Sequence, residues 1–264
     1  MNTNGYLIND DKLALFEKYP PRRLNISLYG ADEKTYSDLC GIPAFEAVKN
    51  NILHLREAGI NVKINMSVTE LNKNDICKVN EFANELGVPF QPAGYMFPAK
   101  RLDDCGAEDC RMSAEDYARS EIEHLKRYKS SAELREYAIS ALEAPEFPDD
   151  CGDGERIPCR AGKSAFWVTW DGKLLPCGMM TEPSVDVKKY GFTQAWKMLV
   201  KAVDEIRLPT DCSGCRFRCV CSVCAAKCHC ETGSFAGKPD YICRFAEKKY
   251  ELLKEIAENA EEVL

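Results

Sequence analysis

Eight of the chain's fifteen cysteines fall in the thirty-two residues from Cys212 to Cys243, CSGCRFRCVCSVCAAKCHCETGSFAGKPDYIC. The spacings Cys212-x2-Cys215, Cys215-x5-Cys221 and Cys221-x2-Cys224 put thiolates on tight turns, where they can converge on one inorganic core. Cys159 and Cys177 extend the pattern upstream as C-x12-G-x4-C through Gly172. Three chemistries compete for such a set: disulfides, structural zinc, and iron–sulfur clusters. Disulfides are disfavoured because the start, MNTNG, has neither a basic region nor an apolar run and so does not read as a secretory signal. A reducing cytoplasm is the expected compartment. The upstream pair makes iron–sulfur the leading reading, with zinc still open.

The remaining composition is that of an ordinary globular protein: 264 residues, 45% hydrophobic and 29% charged, enough to bury a core. A formal charge of −7 argues against nucleic acid as a partner, and no run of apolar residues is long enough for a membrane span.

The elements that position the cysteines begin with a βα rhythm. A short helix is expected over 10–19, stopped by Pro20-Pro21. Leu24 to Leu28 alternates as a strand does, and Phe45, Val48, Ile52 and Leu55 form a helical stripe ending at Gly59. Ile60 to Val68 alternates again; Asn74 is expected to cap a helix carrying Ile76, Val79, Phe82 and Leu86; Val88 to Phe97 reads as a third strand. This order predicts an α/β fold with a parallel sheet. One strand face carries Asn25, Ser27, Asn61, Lys63, Asn65 and Ser67, so it is expected to line a cavity, with a solvated face as the alternative. RLDDCGAEDC (101–110) reads as a loop with exposed thiols. Helices are expected over 113–128, with Ser113 as cap, and over 132–142, and 145–154 reads as a domain boundary. Asp171-Gly172 predicts a hairpin with a two-residue turn that holds Cys177 near Cys159. Helices at 192–206 and 245–264 complete the chain.

The run Cys159, Gly172, Cys177, Cys212-x2-Cys215-x5-Cys221 and a distant Cys243 resembles the SPASM domain, the auxiliary-cluster module of many radical S-adenosylmethionine (SAM) enzymes that modify peptides. TNG (3–5), ISLYG (26–30) and REAGINVKINMSVTELN (56–72) are similar, in order and spacing, to segments of the second half of a radical SAM partial barrel. The resemblance implies a partial (β/α) barrel in residues 1–100, a helical connector at 101–149, a SPASM domain at 150–245 with its hairpin and helices, and a C-terminal helix at 246–264. It implies two auxiliary [4Fe-4S] clusters. One takes Cys159, Cys177 and Cys224; the other takes Cys212, Cys215, Cys221 and Cys243. The family places its next cysteine at the position of Ala225, so that role passes to Cys224, with Cys228 in reserve. The first set is one thiolate short, and Cys151, Cys219, Cys228 and Cys230 are candidates. Arg216, Arg218 and Lys227 sit among the ligands, where cations ease reduction of an anionic cluster. Sulfatase-maturing relatives carry an aspartate after the second cluster cysteine; Gly178 stands here, which counts against that activity.

By the same resemblance Ser27, Asn65 and Ser67 contact SAM. In the complete enzyme a reduced cluster cleaves SAM to a 5′-deoxyadenosyl radical that abstracts hydrogen from a peptide or protein substrate, with a reductant such as flavodoxin or ferredoxin. No C-x3-C-x2-C, the spacing that holds the radical-generating cluster, occurs among the fifteen cysteines. The expectation is therefore that the first half of the barrel is missing, that the strand at 24–28 is an unpaired edge, and that this chain alone does not cleave SAM. The alternative is a non-catalytic iron–sulfur electron-transfer or peptide-binding module, or a structural zinc module.

Overall fold

A computed structural model describes residues 1–98, 109–144 and 156–259. Among these, 1–96 with 109–112 form one compact unit, and 97–98, 113–144 and 156–259 form another. The first unit runs β1 (Asn2–Thr3), α1 (Asp10–Lys18), β2 (Leu24–Ser27), α2 (Glu33–Cys40), α3 (Phe45–Glu57), β3 (Val62–Ser67), α4 (Ile76–Glu85) and β4 (Phe90–Ala93). Its four strands are parallel in the order β1-β2-β3-β4, which bears out the α/β reading. Alternation in β2 and β3 buries Leu24, Ile26, Val62, Ile64 and Met66 on one face. Val48, Ile52 and Leu55 of α3 and Val79 and Ala83 of α4 are buried in the same unit, supplying the apolar stripes such a sheet must cover. Burying each large aliphatic side chain contributes about 1.5–3 kcal/mol, so these periodic positions carry the fold.

Several local expectations are corrected. The strand at 24–28 is paired: β1 lies alongside it, with Asn2 opposite Asn25 and Thr3 opposite Ile26. Two residues are too short to show a strand period, so the pattern gave no signal there. Residues 33–40, for which no element was expected, form a helix; Asp32 caps α2 through Thr35 N–H, and Gly41 N–H closes on Ser37 O. Asn74 is no cap, because it lies inside a 3₁₀ turn, Lys73–Asp75, that leads directly into α4. The neighbouring Asn72 instead joins strand ends: its Nδ2 donates to Tyr29 O and Ser67 O, both at 2.9 Å, and its Oδ1 accepts from Thr69 N–H at 2.7 Å.

The second unit begins with α5 (Ala114–Tyr128) and α6 (Ser131–Leu142), each opened by a serine cap, Ser113 as the sequence predicts and Ser130, which the sequence reading did not single out. An antiparallel sheet follows, β5 (Trp167–Val168), β6 (Lys173–Leu175) and β7 (Val185–Asp186), in that order. The hairpin turn has three residues rather than two. Thr169 N–H donates to Lys173 O, and Gly172, at φ 92°, takes the left-handed position that closes such a loop. Then come α7 (Val187–Asp204), broken by non-helical backbone at Gly191, α8 (Ala225–Thr232) and α9 (Asp240–Glu258). Helix α9 starts five residues earlier than its apolar pattern suggested, which places Cys243 in its first turns. It packs on α5 and α6: Tyr117 stacks on Phe245 at 4.4 Å, Lys249 pairs with Glu121 at 2.8 Å, and Ile122, Ala138 and Leu253 are buried together. No helix among the described residues is long and apolar enough to cross a membrane.

Candidate metal centre and ligand face

Short turns carry Cys212, Cys215 and Cys221 of the second unit, and helices carry others of its thiols. Cys212 ends one 3₁₀ turn, Thr210–Cys212, and Cys221 follows another, Arg218–Val220. Cys215 lies between them and Cys243 is supplied by α9. All four line a single cavity of about 200 Å3, together with Asp211, Phe217, Arg218, Val223, Lys238 and Glu247. Burial raises the Cys212 and Cys221 thiols above their ordinary range, with Arg218 opposing in both cases. Burial also pushes Cys243 up to about 11, with Cys221, Cys212 and Cys215 adding repulsion between thiolates. Four soft donors that repel one another when ionised, around one enclosed space with cationic side chains beside it, are chemically matched to a cationic multinuclear metal group. Among the described residues no three His, Cys, Asp or Glu side chains form a ready group for a metal ion, so the thiols as they stand surround a space rather than a point.

The other expected set is looser. Cys224, at the N-cap of α8, is raised chiefly by burial, with the N–H groups of Lys227 and Ala226 opposing and Cys159 adding repulsion, so the structure brings Cys159 and Cys224 together. Cys177 Sγ accepts from Met179 N–H at 3.4 Å, and Cys230 Sγ donates to Met179 O at 3.6 Å, so these two thiols flank one residue. Cys159 is exposed, whereas Cys212 is buried. Of the reserve candidates, Cys228 is fully buried and pushed up to about 12 by burial, with repulsion from Cys212, Cys224 and Cys221, were they ionised, adding to it. Cys219 packs against the helical core of Ile122, Ala138 and Leu253. Cys151 and Cys105 lie outside the described residues. Cys110 is half-buried in the first unit, its carbonyl accepting from Glu70 N–H.

The cations divide. Arg218 is buried and lines the cavity. Lys227, lowered by burial, lies near Cys224 and Cys221 and donates to Ser222 O and Oγ at 2.9 and 2.7 Å. Arg216 is exposed beside Phe217 and Glu247 and does not line the cavity.

On the sheet of the first unit, Ser27 pairs in register with Asn65, and Asn65 with Gln91. Asn25 Nδ2 donates to Asn2 Oδ1 at 2.7 Å, and Lys63 Nζ donates to Gln91 Oε1. Asn25 Oδ1 and Asn65 Oδ1 are buried without a hydrogen-bond partner. Buried acceptors are normally paired, so this face holds capacity for a ligand that brings donors. Ser67 is exposed at the strand's end, opposite Ala93, and its carbonyl serves Asn72. Gln91 was not singled out in the sequence because Pro92 and Ala93 break the alternation of its strand.

Residues 1–83 match the family model described as the Radical SAM superfamily. An AdoMet-dependent heme synthase from Methanosarcina barkeri is 25% identical over 256 residues, 90% of this chain and 72% of that protein. The fold matches the solved structure titled native anSMEcpe with bound AdoMet at a TM-score of 0.64, with 16% identity, over 98% of this chain and 74% of the other. It also matches Streptococcus suis SuiB bound to its precursor peptide SuiA, at a TM-score of 0.66 and 18% identity, over 92% of this chain and 58% of the other.

Proposed function

We propose, from the premise that this chain is a radical SAM superfamily protein, that its second unit is an auxiliary-cluster domain serving the modification of a peptide or protein side chain. The observation that carries the reading is the gathering of Cys212, Cys215, Cys221 and Cys243 around one cavity. These four would hold one [4Fe-4S] cluster, and Cys159, Cys177 and Cys224 the other. Such clusters supply one-electron transfer or an open iron for substrate. The chain's own residues hold Cys212, Cys215 and Cys221 on short turns and Cys243 on α9, place Arg218 and Lys238 beside the thiolates, and keep Cys212 from water. On the sheet face Ser27 and Asn65 would bind SAM, with Ser67 at the margin. Since the fifteen cysteines contain no C-x3-C-x2-C, residues 1–264 by themselves are expected not to cleave SAM.

A second reading is favoured by the similarity to heme synthases across nine-tenths of the chain: the substrate would be a tetrapyrrole rather than a peptide. Both readings share the thiol-bound centre and differ in what it serves. The test is anaerobic reconstitution with iron and sulfide, followed by titration with a porphyrin and, separately, with a synthetic peptide. The peptide reading expects no porphyrin binding; a tight one-to-one porphyrin complex would replace it with the second. Catalytic release of 5′-deoxyadenosine from the reduced chain alone would overturn the division of labour between clusters.

A further inference from the structure

Strand β5 stands at the edge of its sheet, since the order β5-β6-β7 leaves its far side without a strand among the described residues. Its backbone bonds alternate in direction. Ala165 N–H donates to Arg160 O and Ala165 O accepts from Gly162 N–H, both at 2.9 Å, and Thr169 N–H donates to Lys173 O at 2.9 Å. Midway between them, Trp167 lies opposite Leu175 of β6. Every second residue of an antiparallel strand bonds to the same side, so the N–H and C=O groups of Phe166 and Val168 point away from β6, toward the free edge. Such an edge is a template for another strand.

Its side chains are poorly suited to water. Phe166, Trp167 and Val168 are 46%, 56% and 46% exposed, so both faces of the strand are bare, and Trp170 just beyond is 97% exposed. The devices that normally blunt an edge are missing, because residues 164–170, SAFWVTW, contain no charge and no proline. The anchors are already held in place. Phe166 packs on Phe192 and Trp196 at 5.2 and 5.7 Å between ring centres, and a Cβ built on Gly178 would lie 3.2 Å from the Trp167 ring. Side chains ordered before contact lose less freedom on association.

The stretch is complementary to its own reverse. Antiparallel pairing of two copies about Trp167 sets Phe166 against Val168, Ala165 against Thr169, and Lys163 against Asp171 of the second copy. Lys163 and Asp171 are both exposed. Opposite charges facing across a strand pair stabilise it, and like charges destabilise it. Centring the pair one residue later would set Lys163 against Lys173, and one residue earlier would leave Lys163 facing Thr169 and Asp171 facing Ala161. Charge therefore selects Trp167 as the centre. Phe166, Trp167, Val168 and Trp170 at these exposures offer roughly 500 Å2 per copy, or about 1,000 Å2 for the pair, which reaches the lower bound of a specific interface.

We propose that β5 pairs with β5 of a second copy of this chain, antiparallel about Trp167, so that two three-stranded sheets join into one of six strands. A contact in which each copy presents the same patch closes at two copies. It involves no thiol and is independent of what the cysteines hold.

The test is sedimentation velocity of the full chain over a micromolar concentration series, kept anaerobic with a reductant so that no disulfide joins two copies. The wild type is expected to pass from monomer to dimer as concentration rises. Residue 167 meets its own copy at the axis, so Trp167→Glu and Trp167→Lys should each weaken self-association by about tenfold or more. Mixed one to one, these two variants should associate again, because unlike charges then face each other. Lys163→Asp should weaken the dimer by about tenfold, and adding Asp171→Lys to it should restore the dimer. Fluorescence of Trp170 and Trp196 in urea checks that each variant is folded; if the Trp167 variants are not, the exposed Lys163 and Asp171 pair decides the question. A wild type that stays monomeric throughout overturns the proposal. So does a dimer unweakened in folded Trp167 variants, a mixture of them that fails to associate, or a charge exchange that restores nothing.

Discussion

Gly162→Ala tests whether the Cys159 loop is seated on α7 as described. Gly162 has φ 68°, and a Cβ there would stand 2.6 Å from Val203 Cγ2 and 2.9 Å from both Val203 Cβ and Cγ1. Val203 is buried, and a β-branched side chain in a helix has essentially one χ1 rotamer, so it cannot turn aside. The left-handed backbone costs an alanine about 1–2 kcal/mol, and overpacking costs about 1–3 kcal/mol. The stiffer unfolded chain returns about 0.4–1 kcal/mol. The net expectation is a loss of about 1–4.5 kcal/mol, from the larger two terms less the third. All three tryptophans, Trp167, Trp170 and Trp196, lie in this unit, so fluorescence in urea reports its unfolding. With an m-value of about 1–3 kcal/mol/M the midpoint should fall by about 1 M or more. Adding Val203→Ala removes the two clashing methyls, so the double variant should lose less than the sum of the singles, by about 1 kcal/mol. An unchanged midpoint for Gly162→Ala, or strict additivity in the pair, would refute the close approach.

Further outcomes follow from other sites. Asn72→Ala removes the amide that bonds Tyr29 O, Ser67 O and Thr69 N–H, and should cost about 2–4 kcal/mol, read as faster hydrogen exchange along β2 and β3. His124 is held below its ordinary value of 6.5 chiefly by burial, so the unfolded chain takes up a proton before the folded one does. Stability from this residue is present above pH 6.5 and is lost as pH falls below it; His124→Gln should flatten the stability–pH curve there, and an unchanged slope would exclude His124 as its source. Asn65→Leu should abolish any SAM binding measured by calorimetry while leaving the midpoint of tryptophan unfolding unmoved, since Asn65 belongs to the other unit. Retained SAM affinity in that variant would remove Asn65 from the ligand face.

The parallel sheet was legible because Leu24, Ile26, Val62, Ile64 and Met66 alternate with polar residues over enough positions to show a period. β1 was not, since two residues carry no period and its partner strand alone defines it. Helix α2 was hidden by composition: EKTYSDLC buries only Tyr36, so its signals are its caps, Asp32 and Gly41, rather than a stripe. At the candidate metal centre, spacing alone grouped Cys212, Cys215 and Cys221, and the resemblance added Cys243, whose proximity comes from the fold of α9. Spacing could not show that Cys219 faces the helical core while Cys230 turns toward Met179. Those orientations depend on the turn at Arg218–Val220 and on the pitch of α8. The aromatic surface was written in FWVTW, but a strong strand signal is the same whether its side chains meet a core or water.

The most direct measurement is iron and acid-labile sulfide per chain, after anaerobic reconstitution, in the wild type, Cys159→Ala, Cys243→Ala and the double variant. Two separate thiol-held [4Fe-4S] centres predict about eight irons in the wild type, about four in each single variant and close to none in the double. Stoichiometric zinc without sulfide, or a Cys243→Ala chain that keeps its full iron, would contradict the account.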